Sequence, residues 1–198
     1  MGIDLGLLHH PVYNRHGQVV TSAITNLDLH DIARAACTFG VGAFFVATPL
    51  DDQRRLAAEI LAHWLTGPGA AANGLRRQAL SLVRLRRDLA EVRAELVAAR
   101  GAPPLVLATA AGPRPGPRFG YRQVREVLAA GESVLLLFGT GWGLAAQIDD
   151  QVDGFLPPIR GSGSYNHLSV RSAVAIVLDR LLGDDKDQEA LARPWARP

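Results

Sequence analysis

Two rhythms of hydrophobic and polar positions run along this chain. Val41 to Thr48, Leu105 to Thr109 and Ser133 to Phe138 are continuous apolar runs, the pattern of strands covered on both faces. Leu5 to Val12 and Phe155 to Ile159 predict two further short strands. Val19 to Ile24 predicts another, forming a hairpin with the first about a turn at Asn14-Arg15-His16-Gly17. Between these runs, apolar residues recur every three or four positions. Leu29, Ile32, Ala33 and Ala36 share one face of a helix from Asp28 to Phe39, with Asn26 or Asp28 placed to cap it and Gly40 just past its end. Helices are likewise predicted from Pro49 to Leu65, Tyr121 to Ala130 and Leu168 to Leu182, with a short one over Leu144 to Ile148. Gly74 to Arg100 predicts the longest, because Leu75, Ala79, Leu82, Leu89, Val92 and Leu96 fall on one face and Arg76, Arg77, Arg84 and Arg87 on the other.

Strands alternating with helices predict an α/β fold, a mostly parallel sheet with helices on both faces. The pattern continues across the Pro- and Gly-containing stretches 66–73 and 110–119, so one domain is expected over residues 1–183, followed by a flexible tail over 184–198. The chain has 198 residues, 48% of them hydrophobic, which is enough to bury a sizeable core. No apolar run approaches about 18 residues, and the first ten residues carry Asp4 and no basic stretch. Neither a membrane span nor a signal peptide is therefore expected. The single Cys37 excludes an internal disulfide framework and fits a cytoplasmic setting.

Charge matters here in kind more than in amount. Of 21 basic residues all but Lys186 are arginine, for a net charge of +2. The guanidinium fork matches phosphate edges and stacks on bases, but codon bias produces the same excess. An RNA partner is admitted, not demanded. If there is one, the Arg76, Arg77, Arg84, Arg87 face and the loop with Arg114 and Arg118 are the candidate phosphate-binding surfaces.

In open α/β sheets ligands bind beyond the C-terminal ends of strands. Three loops leave such ends: 109–119, 139–143 and 159–167, all rich in Gly or Pro. Turns between strands and helices need glycine anyway, yet three such loops together point to a small-molecule site. It lacks the dinucleotide fingerprint, since Gly139, Gly141 and Gly143 give G-x-G-x-G after a late strand. A Walker loop is excluded because the only lysine is Lys186. His9-His10 and His30-Asp31 are adjacent pairs that cannot converge, so no metal site is expected. Ser162-Gly163-Ser164 reads as a turn, not a nucleophile.

Two stretches carry a resemblance. Asp28-Leu29-His30-Asp31-Ile32-Ala33-Arg34 through Phe39-Gly40 resembles the first motif of the SPOUT superfamily of RNA methyltransferases, in which an Asn begins a helix, an Arg follows six residues on and Phe-Gly ends it. Here Asp28 stands in the Asn position. Tyr165-Asn166-His167-Leu168-Ser169-Val170 is similar to the last motif, with His167 in the Asn position and Asn166 one earlier. Between them, Leu135 to Leu144 looks like the middle motif, a strand and glycine loop. The same stretches, extended by Arg171-Ser172-Ala173, resemble a small bacterial branch of stand-alone proteins described as tRNA guanine-N1 methyltransferases.

That resemblance implies a sheet whose C-terminal part is threaded as a deep trefoil knot, S-adenosylmethionine as cofactor, tRNA or another RNA as substrate, and a homodimer with the substrate site at the subunit interface. Gly139, Thr140, Gly141 and Gly143 would line the cofactor, with Thr109, Phe138 and Ile159. Gly161, Asn166, His167 and Leu168 would close the pocket from the last loop. Arg34, Asp31 and Asp28 would act at the acceptor atom. The chemistry agrees, because methyl transfer from a sulfonium is an in-line displacement dominated by positioning. An Asp can take the acceptor's proton or an Arg can stabilise a developing anion. Asp31 and Arg34, at i and i+3, also make an ordinary surface ion pair. The departures at Asp28 and His167 keep open a non-catalytic RNA-binding or assembly module on the same fold. A flavodoxin-like nucleotide-binding protein is the remaining alternative.

Overall fold

In the computed structural model, which describes residues 2–183, the strands are β1 (Gly2–Leu8), β2 (Val12–Tyr13), β3 (Val19–Val20), β4 (Phe44–Ala47), β5 (Val83–Arg86), β6 (Leu105–Ala108), β7 (Ser133–Gly139) and β8 (Gly154–Phe155). The helices are α1 (Asn26–Thr38), α2 (Asp51–Leu65), α3 (Pro68–Ala72), α4 (Gly74–Leu80), α5 (Leu89–Arg100), α6 (Tyr121–Ala129) and α7 (Val170–Leu182), with a 3-10 turn over Ala146–Gln151. Six strands form one all-parallel sheet in the order β5-β4-β1-β7-β6-β8; the run expected as one strand over Leu5 to Val12 is split, β1 joining that sheet while only β2 pairs with β3 in a hairpin about the expected turn. The tail expected over 184–198 lies outside the described residues.

Alternation along the central strands explains the layers. Ile3, Leu5 and Leu7 of β1 and Val134, Leu136 and Phe138 of β7 pack on one side, against α1, α2, α4, α6 and α7. Leu8, Leu135 and Leu137 pack on the other, against α5 and the 3-10 turn. Both faces are covered, which is why these strands read as unbroken apolar runs. Asp4 is the exception within β1. It is fully buried, pairs with Arg100 at 2.5 Å, and burial raises its pKa against the opposing pull of that arginine.

Helix α1 is capped by Thr25, whose hydroxyl accepts from Asp28 N at 3.1 Å, and not by Asn26 or Asp28. Gly40 follows its end at φ 69°, as its position past Phe39 predicts. The long helix expected over 74–100 does not exist. Asn73 caps the short α4, β5 then pairs with β4, and Asp88 restarts a helix by accepting from Glu91 N at 3.0 Å. Edge strand β5 buries only Val83, so its alternation is too faint to break the three-and-four spacing around it. The continuous arginine face goes with that helix: Arg76 and Arg77 lie on α4, Arg84 on β5 and Arg87 beyond it.

Candidate functional site

The parallel strands all end at one edge, and the cleft lies there. Its volume is about 870 Å³, and its walls come from the start of α1, the three loops after β6, β7 and β8, and the start of α7. Ten of the eleven residues expected at a cofactor line it: Thr109, Phe138, Gly139, Thr140, Gly141, Gly143, Ile159, Asn166, His167 and Leu168. Gly161 does not. Of the three residues expected at the acceptor, Asp28 lines the cleft, while Asp31 and Arg34 sit exposed farther along α1 and outside its lining.

The glycine loop is shaped by close approach of backbone. Gly143 N donates to Thr140 O at 3.0 Å, closing a turn in which Gly141 has φ 59°. A Cβ on Gly141 would meet Tyr13 O at 2.8 Å, and one on Gly139 would meet Leu144 N at 2.6 Å. Side chains are therefore excluded where the backbone approaches the cleft, which leaves peptide edges for a ligand to meet. Thr140 is anchored from below, its hydroxyl bonded to that of Ser22, which in turn lies 3.0 Å from His9 Nδ1. His9 is fully buried, with Nε2 unpartnered among the described residues. Burial lowers its pKa to about 4 although Asp28 pulls the other way, so the imidazole is neutral at physiological pH.

Two side chains tie the three loops together. Arg114, read from sequence as a candidate phosphate ligand, is instead mostly buried and pairs with Asp149 while donating to Leu144 O at 2.6 Å and Ala145 O at 3.1 Å. It fastens the proline-rich loop to the segment after the glycine loop. Asn166 Nδ2 donates to Ala111 O at 2.7 Å and brings in the third loop.

At the other end of the cleft sits an arginine that the sequence reading left without a role. Arg171, in the first turn of α7, places Nη1 2.8 Å from Asp28 Oδ1 and Nε 3.4 Å from Asp31 Oδ2. Asp28 Oδ2 accepts from the Thr25 hydroxyl at 2.7 Å, so both carboxylate oxygens of this buried acid are engaged. Arg34 makes no ion pair with either acid. No local signal marks Arg171, because its partners are 143 and 140 residues away and meet it only through the packing of α7 on α1.

This donor set suits an adenosyl group joined to a charged sulfonium. Peptide edges at the glycine loop can read adenine and ribose, Phe138, Ile159 and Leu168 offer apolar surface, and Asp28 places a carboxylate at the far end. A volume of this size falls within the ordinary range of small-molecule sites. Among the described residues no group of three or more His, Cys, Asp or Glu is placed to hold a metal ion.

Comparison with known proteins gives the cleft a context. Residues 2–183 match the family model described as SAM-dependent RNA methyltransferase. A tRNA (guanine-N(1)-)-methyltransferase of Oleidesulfovibrio alaskensis is 47% identical over 178 residues, 90% of this chain, but the chain spans only 41% of that relative's length. An uncharacterized protein of Aquifex aeolicus is 37% identical over 93% of this chain and 90% of its own. The solved structure of the SpoU methyltransferase AviRb from Streptomyces viridochromogenes shares the fold, with a TM-score of 0.59 at 17% identity over 95% of this chain and 61% of that one.

Proposed function

This chain belongs to the family of S-adenosylmethionine-dependent RNA methyltransferases, and on that premise we propose that it methylates RNA, tRNA foremost, in the cleft between α1, α7 and the three loops. The observation that carries the proposal is the convergence of the glycine loop, the proline-rich loop and the last loop on one cavity whose far end holds the Arg171–Asp28 pair. The cofactor supplies an electrophilic methyl group. Gly139, Thr140, Gly141 and Gly143 would offer it peptide edges, and Thr109, Phe138, Ile159, Asn166, His167 and Leu168 would complete the lining, Gly161 standing outside it.

At the acceptor end, Thr25 and Arg171 fix the Asp28 carboxylate. Asp28 in turn holds the Arg171 guanidinium, which can stabilise negative charge developing on the acceptor. Asp31 is about half exposed and held only by Arg171 at 3.4 Å, so it is the freer of the two acids to take a proton from an acceptor that reaches beyond the cleft's own lining. Arg34 is exposed and lies outside the lining of its own cleft. We assign it to the cleft of a second copy, which makes the active unit a homodimer with the substrate between subunits. The threading of the segment before α7 beneath the loop 109–120, as a trefoil, belongs to the same proposal and is supported by the Asn166–Ala111 contact. A cytoplasmic location follows from a tRNA substrate.

The guanine-N1 assignment rests on the name of a relative of which more than half lies outside the match, so base and ribose acceptors are both within the proposal. Nucleoside mass spectrometry of RNA from a deletion strain tests it: one methylated nucleoside should vanish and return with the wild-type chain, and an unchanged modification profile would refute it.

A further inference from the structure

Trp142 is the residue of the glycine loop that the cofactor reading leaves unused. Its residue surface is 63% exposed, yet the backbone that carries it is closely held. Trp142 N donates to Tyr13 O at 3.0 Å, Tyr13 N donates to Gly143 O at 2.9 Å, and Ala146 N donates to the Tyr13 hydroxyl at 3.1 Å. Glycines at positive φ flank it on both sides. The result is a large aromatic ring presented to water from a fixed loop at the cleft. An exposed indole in such a setting gains nothing for the fold, and the loop's approach to the cleft needs only backbone and Thr140.

We propose that Trp142 is a stacking platform for an unpaired nucleobase of the RNA substrate, an inference that rests on the RNA-methyltransferase reading of the cleft. The ring lines the same cavity as Arg171 and Asp28. The last loop offers a second aromatic group, where Tyr165 is 79% exposed and meets the His167 ring edge-on at 5.5 Å. Exposed Arg118 and Arg160 offer cations to a phosphate backbone and Asp149 is paired with Arg114, while Arg171 is shared between Asp28 and Asp31. Every base has a π-face, so stacking of this kind holds single-stranded or flipped nucleotides with little regard to sequence.

The test is equilibrium binding of unfractionated bacterial tRNA and of S-adenosylhomocysteine to the wild-type chain, Trp142→Ala and Trp142→Phe, with sedimentation of each. Trp142→Ala should weaken tRNA binding by about 5- to 100-fold and Trp142→Phe should recover it to within about threefold, because a smaller ring still stacks. Homocysteine-nucleoside affinity and sedimentation should follow the wild type. The inference is overturned if Trp142→Ala binds tRNA as the wild type does, if it loses S-adenosylhomocysteine to the same degree, which makes the ring part of the cofactor pocket, or if its sedimentation changes, which makes it a contact between copies. A wild-type chain that binds no tRNA would instead sink the RNA reading itself, and the stacking role with it.

Discussion

Arg171 and Asp28, 143 residues apart in sequence, are joined at 2.8 Å across the packing of α7 on α1. The acid is buried and the arginine about one-third exposed, so the pair closes the acceptor end of the cleft while still touching water. Removing the arginine leaves a buried carboxylate with the Thr25 hydroxyl as its remaining side-chain donor. Arg171→Gln should therefore lower unfolding stability by about 1–3 kcal/mol, and Asp28→Asn, which still accepts from Thr25, by less. The double variant should recover part of the loss, a coupling of about 1 kcal/mol read from urea unfolding. Strictly additive losses would show that the two side chains do not support each other.

His9 predicts how stability changes with acid. Its folded pKa of about 4 lies below the ordinary 6.5, so between these values the unfolded chain binds the proton more readily. The contribution is complete above pH 6.5 and is lost progressively down to about pH 4, amounting to roughly 3 kcal/mol. Asp4, whose pKa is raised by burial, works with the opposite sign, so the comparison must be between the wild-type chain and His9→Gln. The variant should be less stable at neutral pH and lose distinctly less stability over that interval. Parallel curves would mean that His9 is not buried as a neutral imidazole.

Gly141 tests whether the loop's backbone shape matters to the cleft. An alanine there meets both the left-handed φ of 59° and a Cβ only 2.8 Å from Tyr13 O. Gly143, at φ 95°, has open space around its Cβ position. Gly141→Ala should cost about 1–2 kcal/mol from the backbone conformation, with the added clash displacing Tyr13 or the loop. Binding of S-adenosylhomocysteine should fall more in Gly141→Ala than in Gly143→Ala. Equal effects would show that the contact with the hairpin carries no weight.

Much of this architecture could be read from residue order, and the gaps have physical causes. Local signals served well: Gly40 after α1, the Asn14–Gly17 turn, and the doubly covered runs that became β4, β6 and β7. The three loops were legible because glycine and proline mark sharp departures from strand ends. Edge strand β5 was hidden by its length and by Leu82 and Leu85, whose spacing also fits a helix. Asp88 with Glu91 three residues on was the start signal that could have exposed it, since the pair caps α5. The roles of Arg171 and Arg114 were beyond sequence reasoning, because each depends on which distant segment folds against it. Arg114 looked like a surface cation and proves to be an internal fastening. The arginine face vanished with the helix that would have displayed it.

Isothermal titration of the wild-type chain with S-adenosylhomocysteine tests the central claim most directly. The cleft should bind one molecule per chain with a Kd of about 1 µM to 1 mM, and Gly141→Ala should bind it more weakly under the same conditions. Absence of any saturable heat from folded wild-type chain across that range would contradict the assignment of the cleft to the cofactor.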